Sequence, residues 1–225
     1  HIINIYKEKT MTELQAIKER HSVRSYQEKK IEAEKIEQLN AMIETCNKEG
    51  NLNLQLLPEA GGTFQKKLMS RVMGLASAPS VIACVAADDP TAHERIGYYG
   101  EKIVLYAQTL GLNTCWAGTF SAKNVPANRT EGDILPIVIA LGYGNTQGKS
   151  RKSKSVEQVA EGKSLPDWFV KGVKAALLAP TAINQQKFKI RLADDGKVSF
   201  EDLGGVLSKI DLGIIRYHFE VGSKA

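Results

Sequence analysis

Two apolar runs, PSVIACVAA at 79–87 and ILPIVIALGYG at 134–144, most constrain what this chain can become. Both read as strands, the first buried on both faces, and the second closes on a glycine-containing turn. Between them, Ile96, Ile103, Tyr106, Ala107 and Leu110 recur at helical spacing and end at Gly111, which predicts a central helix over 94–110. NTCWAG at 113–118 then reads as a further strand ending in glycine. Buried strands alternating with helices imply α/β layers.

The flanking segments extend this pattern. Thr12 and Gln15 form a capping-box signature ahead of Leu14 and Ile17, so a helix is expected over 13–20. Ile36, Leu39, Ile43 and Cys46 mark a one-sided helix that stops at Gly50, and Leu52, Leu54 and Leu56 alternate as a strand. A short helix is expected between that strand and residue 79. Downstream, Pro166 can sit in the first turn of a helix through WFVKGVKAALL, followed by APTAIN and an alternating strand KFKIRL. Asp195-Gly196 suggests a hairpin turn into KVSF. SKIDLGIIRYHFEVG closes the chain as a helix capped by Ser208 and stopped by Gly222. No repeat or linker divides the chain, so residues 12–225 are expected to form a single domain. Residues 1–11, beginning HIINIYKEKT ahead of Met11, are expected to be an extension or a remnant from outside the native chain.

Composition excludes several classes. With 43% hydrophobic and 24% charged residues, the chain is an ordinary globular sequence, and no apolar stretch approaches the ~18 residues of a membrane span. Cys46, Cys84 and Cys115 are far apart and odd in number, which supports neither a disulfide framework nor a zinc site and suits a reducing cytoplasm. His1, His21, His93 and His218 are equally scattered, and no metal site is expected. The net charge of +5 permits nucleic-acid phosphates or phosphorylated small molecules as partners. Motifs G-x-G-x-x-G, G-x-x-x-x-G-K-[ST] and G-x-S-x-G are absent, which removes the common dinucleotide, P-loop and hydrolase signatures.

Four segments could carry chemistry. In RHSVRSY (20–26), Arg20 and Arg24 offer guanidinium forks for a phosphate and Ser22 adds a hydroxyl; the alternative is a solvated basic turn at a helix end. In GKSRKSK (148–154), Lys149, Arg151, Lys152 and Lys154 could form a mobile loop that closes over a phosphate, or simply a solvated loop. No aromatic residues interleave with that run, which argues against single-strand nucleic-acid binding. In TCWAGTF, Ala117 and Gly118 would let backbone approach a flat ligand, unless Trp116 and the glycine are only core and turn. In LAPTAINQQ, a proline, a threonine hydroxyl and an asparagine amide could bind a heteroaromatic edge, or belong to an ordinary loop.

Taken in order, the R-[RH]-S-x-[RK] segment, APSVIACVA, LGLNTCWAG and LGYG followed by KSR resemble the flavin-dependent nitroreductase family. The resemblance covers most of 12–159 and implies a nitroreductase-like α/β (α+β) fold, a central mixed sheet flanked by helices. It implies an FMN site in which Arg20, His21, Ser22 and Arg24 line the cofactor, with Arg20 near the phosphate and Arg24 near the pyrimidine edge. Lys149 and Arg151 would complete the phosphate clamp, while Ala117 and Gly118 would present backbone to the reactive ring nitrogen. The family's A-P-S-S-x-N-S-Q-P-W-like segment is missing after the second helix, where CNKEGNLNLQLL stands, and a similar stretch, APTAINQQKF, occurs at 179–188 with Lys187 in place of proline. That relocation implies a rearranged variant, a possible single-chain pseudo-dimer, in which Pro180, Thr181, Ala182 and Asn184 contact the flavin ring.

The resemblance implies an FMN-dependent oxidoreductase that takes hydride from NAD(P)H and reduces a nitroaromatic, quinone or similar acceptor. No side chain is assigned as an acid or base. The expected partners are a small-molecule acceptor and neither nucleic acid nor membrane, in a monomeric pseudo-dimer or a homodimer. The competing expectations are a flavin-storage protein without turnover and a basic phosphate- or nucleic-acid-binding module.

Overall fold

The computed structural model describes residues 11–60, 64 and 75–225. The expected extension at 1–10 and the short helix expected before residue 79 lie outside the described residues, apart from Phe64 and the 3₁₀ turn Leu75–Ser77.

Among the described residues, six helices and two sheets form an α+β architecture. In chain order these are α1 (Glu13–Glu19), α2 (Ala33–Gly50), β1 (Asn53–Leu57), β2 (Ser80–Ala87), α3 (Ala92–Thr109), β3 (Asn113–Ala117), β4 (Asp133–Ile134), β5 (Val138–Gly142), α4 (Val156–Val159), β6 (Ala160–Glu161), α5 (Asp167–Ala176), β7 (Phe188–Leu192), β8 (Val198–Asp202) and α6 (Ser208–Ser223). The larger sheet runs β1-β2-β5-β3, with β4 paired to β2. Its ladders are antiparallel, and it becomes mixed at the β3 edge, where Ser22 bridges Thr114 in parallel. The smaller sheet, β6-β7-β8, is also mixed.

Local chemistry accounts for the boundaries. Thr12 accepts from the Gln15 N–H at 3.2 Å while Gln15 Oε1 accepts from the Thr12 N–H at 2.9 Å, a complete capping box that starts α1. The run at 134–144 divides into β4 and β5 because Pro136 has no N–H to give a ladder. Pro166 stands at the N-cap of α5 rather than inside its first turn. The turn between β7 and β8 places Gly196 at φ +84, which a glycine adopts freely.

Two expectations about the last helix are corrected. Ser208 does not cap α6: the N-cap is Leu207, and the Ser208 hydroxyl donates instead to Asp202 Oδ2 at 2.9 Å, a carboxylate that outcompetes a backbone partner. Gly222 does not stop the helix, which runs on to Ser223. A Cβ at Gly222 would lie 2.4 Å from that of Ala175, so the glycine is there to let α5 and α6 approach closely. At the α3–α6 crossing, a Cβ at Gly97 would stand 2.0 Å from the Ile210 carbonyl, and one at Gly213 would stand 2.0 Å from that of Glu94.

This packing places α3 behind the sheet as the central helix, with Ile96, Ile103, Val104 and Ala107 buried. Helix α6 packs on both α3 and α5 and touches β8. No helix among the described residues is long and apolar enough to cross a membrane.

Candidate functional site

The site begins where α1 ends. Arg20 leaves the helix in extended conformation, φ −68 and ψ 135, and the chain runs along the β3 edge. The Val23 N–H donates to the Thr114 carbonyl at 3.0 Å, and the Gln27 N–H donates to the Tyr143 carbonyl at 2.8 Å. Val23 and Tyr26 point into the core, the latter bonding its hydroxyl to the Val23 carbonyl at 2.7 Å. Asn113 Oδ1 accepts the Gly144 N–H at 2.9 Å, which ties the β5 exit to the same edge.

Around this segment lies a cleft of about 560 Å³, lined by Arg20, His21, Ser22, Arg24, Ser25, Thr146, Gly148, Lys149, Arg151, Pro180, Thr181, Ile183 and Asn184. A second pocket of about 370 Å³ shares Ser22, Arg24, Pro180, Thr181 and Ile183 with it and continues to Trp116, Ala117, Gly118, Ile137, Ala182, Leu207, Ile210, Asp211 and Ile214. The residues expected around the flavin, Arg20 to Arg24, Ala117, Gly118, Lys149, Arg151, Pro180 to Ala182 and Asn184, line one or both of two adjoining cavities except the buried Val23, whereas Lys152 and Lys154 of the basic run line neither. Residues 180–184 reach them from within the same chain, opposite the 20–24 segment.

The first cavity is cationic and electrostatically unsatisfied. Arg20 is 4% exposed, and its buried Nε has no hydrogen-bond partner, with Glu101 Oε1 at 4.0 Å. Burial, then the charges of Arg20 and Arg151, hold His21 below the usual imidazole range. Burial and Arg20 likewise lower Arg151. Crowded cations that oppose one another's protonation favour an incoming anion. Gly148 makes room: at φ +79, a Cβ there would meet that of His21 at 2.7 Å.

Arg151 has a more specific place than a phosphate clamp. Its Nε donates to Asn184 Oδ1 at 2.7 Å, its Nη1 to the Leu178 carbonyl at 3.3 Å, and its Nη2 to the carbonyls of Leu177 and Ala179. It thus satisfies the exposed carbonyls at the α5 exit, and most of its donors are engaged. Ser153 Oγ donates to the Leu177 carbonyl and Lys154 Nζ to that of Gln186. The reading of 148–154 as a loop free to close is corrected: the segment is a strut laced to 177–186, and Lys149 is the exposed cation it leaves at the cleft. Asn184 is similarly committed, since its amide also donates to the Lys152 carbonyl at 3.0 Å.

The second cavity is apolar with one acid in its wall. Asp211 accepts the Ala182 N–H on both oxygens, at 3.0 and 3.1 Å, and Gln185 Nε2 on Oδ2 at 2.7 Å. Burial pushes its carboxyl up to about 6, against those donors and with some repulsion from Asp202. Trp116, at the rear, donates Nε1 to Glu101 Oε2 at 2.8 Å.

Sequence reasoning missed Ile183, Leu207, Ile210, Asp211 and Ile214. The last three sit on a helix whose periodicity reads as core; only an acid among apolar neighbours at 211 hinted otherwise.

A cationic end joined to an apolar end fits a ligand that combines a phosphate with a planar ring. FMN is such a ligand, and the unpartnered Arg20 Nε and the mutually repelling cations match its phosphate.

Residues 13–223 match a family model described as TM nitroreductase. A solved structure called a nitroreductase from Thermotoga maritima is 24% identical, with TM-score 0.67, over 95% of this chain and 84% of that one. A protein called an NADH dehydrogenase/NAD(P)H nitroreductase, from Parabacteroides distasonis, is 17% identical with TM-score 0.51, over 65% of this chain and 95% of its own. One called an NADH oxidase, from Clostridium acetobutylicum, is 22% identical with TM-score 0.50, over 64% and 96%. These are likenesses of fold. No curated protein matches the sequence.

Proposed function

The chain belongs to the nitroreductase family, matched over residues 13–223, and from that premise we propose that it is an FMN-dependent oxidoreductase that passes reducing equivalents from NAD(P)H to a nitroaromatic, quinone or similar acceptor. The observation that carries this reading is the continuity of the two cavities across Ser22, Arg24, Pro180 and Thr181. Bound there, FMN would supply the two-electron redox chemistry.

The chain's own residues bind, orient and shield. Arg20 and Lys149 hold the phosphate, with His21 able to gain a proton as the dianion arrives. Arg24, exposed and flanking both cavities, stands toward the ring and favours negative charge on it. Ala117 and Gly118 bring backbone to the ring where β3 ends. Pro180, Thr181 and Ala182 form the opposite wall, kept in place by Arg151 and Asp211 rather than by a second subunit.

On this reading one chain holds both walls and binds one FMN, as a monomeric pseudo-dimer in its simplest form. The smaller relatives leave about a third of this chain without a counterpart, room for the additional wall. Residues 12–225 then act as a single nitroreductase-like unit. The free, buried thiols of Cys46, Cys84 and Cys115 suit a reducing compartment, the cytoplasm.

The test is a visible absorption spectrum of the purified protein, followed by anaerobic addition of NADH or NADPH. A flavin spectrum near one equivalent per chain that bleaches and is restored by an acceptor is expected. Flavin that does not turn over would mean storage, and colourless protein with steeply salt-dependent nucleic-acid affinity would mean a phosphate-binding module.

A further inference from the structure

We propose that Ile183 is a ligand-contacting residue that makes the site prefer a ring-bearing phosphate over a bare anion; this deepens the flavin reading and rests on it. Ile183 lines both the cationic cleft and the apolar pocket, so a ligand that spans the two must pass beside it. The residue is 87% exposed. Its backbone is left-handed, φ 48 and ψ 24, which is uncommon for any non-glycine residue and a strained position for a β-branched one.

In the free protein this residue type gains nothing. An isoleucine in water buries no apolar surface, and asparagine or glycine would adopt the same backbone with less strain. The conformation is nevertheless imposed from both sides. Asp211 fixes the Ala182 N–H, while Arg151 and the Lys152 carbonyl fix the Asn184 side chain. Strain maintained by tethers on each side of an exposed apolar residue, at the junction of two cavities, marks a side chain presented to a ligand. The class of ligand follows from its neighbours: a phosphate at the cationic end, and a flat, largely apolar ring where Ile183 can cover it.

The experiment compares the full chain with Ile183→Asn and Ile183→Leu, freed of flavin and titrated with FMN by fluorescence quenching. Inorganic phosphate is then titrated as a competitor, and the thermal midpoint of each unliganded protein is recorded. Ile183→Asn should weaken FMN binding by about tenfold, the loss of one partly covered aliphatic side chain. It should leave phosphate affinity within roughly twofold and should not lower the thermal midpoint, since asparagine tolerates this backbone. Ile183→Leu should keep FMN affinity close to the parent's. Unchanged FMN affinity in Ile183→Asn would overturn the assignment alone, as would an equal loss for FMN and phosphate, because the residue would then only shape the loop. Failure of the parent protein to bind FMN would overturn the flavin reading, and this proposal with it.

Discussion

His218 Nε2 stands 2.8 Å from Glu101 Oε1 in the middle of the molecule, with both side chains fully removed from solvent. The other ring nitrogen, Nδ1, faces the Ala175 carbonyl at 3.1 Å, and because a carbonyl only accepts, Nδ1 carries a proton. Glu101 also receives the Trp116 indole and lies near Arg20, so one carboxylate connects α3, α6, the back of the apolar pocket and the anion cleft. Burial opposes its charge, but His218, Arg20 and Trp116 outweigh burial and hold the carboxyl below the usual range. Glu101→Gln takes the carboxylate away from the buried Arg20 guanidinium and should destabilise the protein by about 3–5 kcal/mol, read by urea denaturation.

Arg20 is where this network meets the proposed phosphate. Arg20→Met keeps the apolar stem and removes the guanidinium, so FMN should bind about 2 kcal/mol more weakly, roughly thirtyfold in Kd. Lys149 is exposed, and Lys149→Ala should cost less, with the loss shrinking as salt is raised. An Arg20→Met protein that binds FMN as tightly as its parent in a fluorescence titration would reject the clamp.

Arg24 makes one weak bond, 3.4 Å to the Ser22 carbonyl, and flanks both cavities. A permanent cation beside the ring stabilises the anionic reduced flavin relative to the oxidised form. Arg24→Ala should therefore lower the bound flavin's potential by roughly 20 mV for each ~1 kcal/mol of stabilisation lost, measured by redox titration. No shift would remove Arg24 from this role.

How much of this was legible in the sequence depended on whether a signal was local. The Thr12–Gln15 capping box is a matter of four adjacent residues, and α1 begins where it says. The β2 and β5 strands were readable because a continuous apolar run of that length has few other homes. Ser208 and Gly222 misled because a cap and a stop are judged by neighbours in sequence, whereas Asp202 and Ala175, their actual partners, come from other elements. The cationic half of the cleft was visible as charge. Its apolar half was visible only at Ala117, Gly118 and 180–182, since Ile210 and Ile214 look like any buried helix face until the fold leaves a cavity against them. The structural task of Arg151 was hidden for the same reason: it serves carbonyls, which leave no trace in side-chain sequence.

Asp211 gives the molecule a pH signature that can be read without any ligand. Its carboxyl is raised from an ordinary 3.8 to about 6 by burial, so the folded state holds a proton that the unfolded chain has already released across that interval. The stability linked to this group is fully present below about 3.8 and is lost as pH rises through about 6, by up to about 3 kcal/mol. Asp211→Asn does not titrate. The stability of the parent minus that of the variant should accordingly be largest near pH 4, fall through pH 5 and 6, and level off above about 7. The groups that face Asp211 leave this window to it: Gln185 and the Ala182 N–H carry no charge, and the repulsion from Asp202 acts in the same direction as burial. Urea denaturation of both proteins across pH 4–8 measures the difference directly. A flat difference would mean that the carboxyl titrates as if exposed, and that the wall holding Ala182 and Gln185 is wetter than the structure shows.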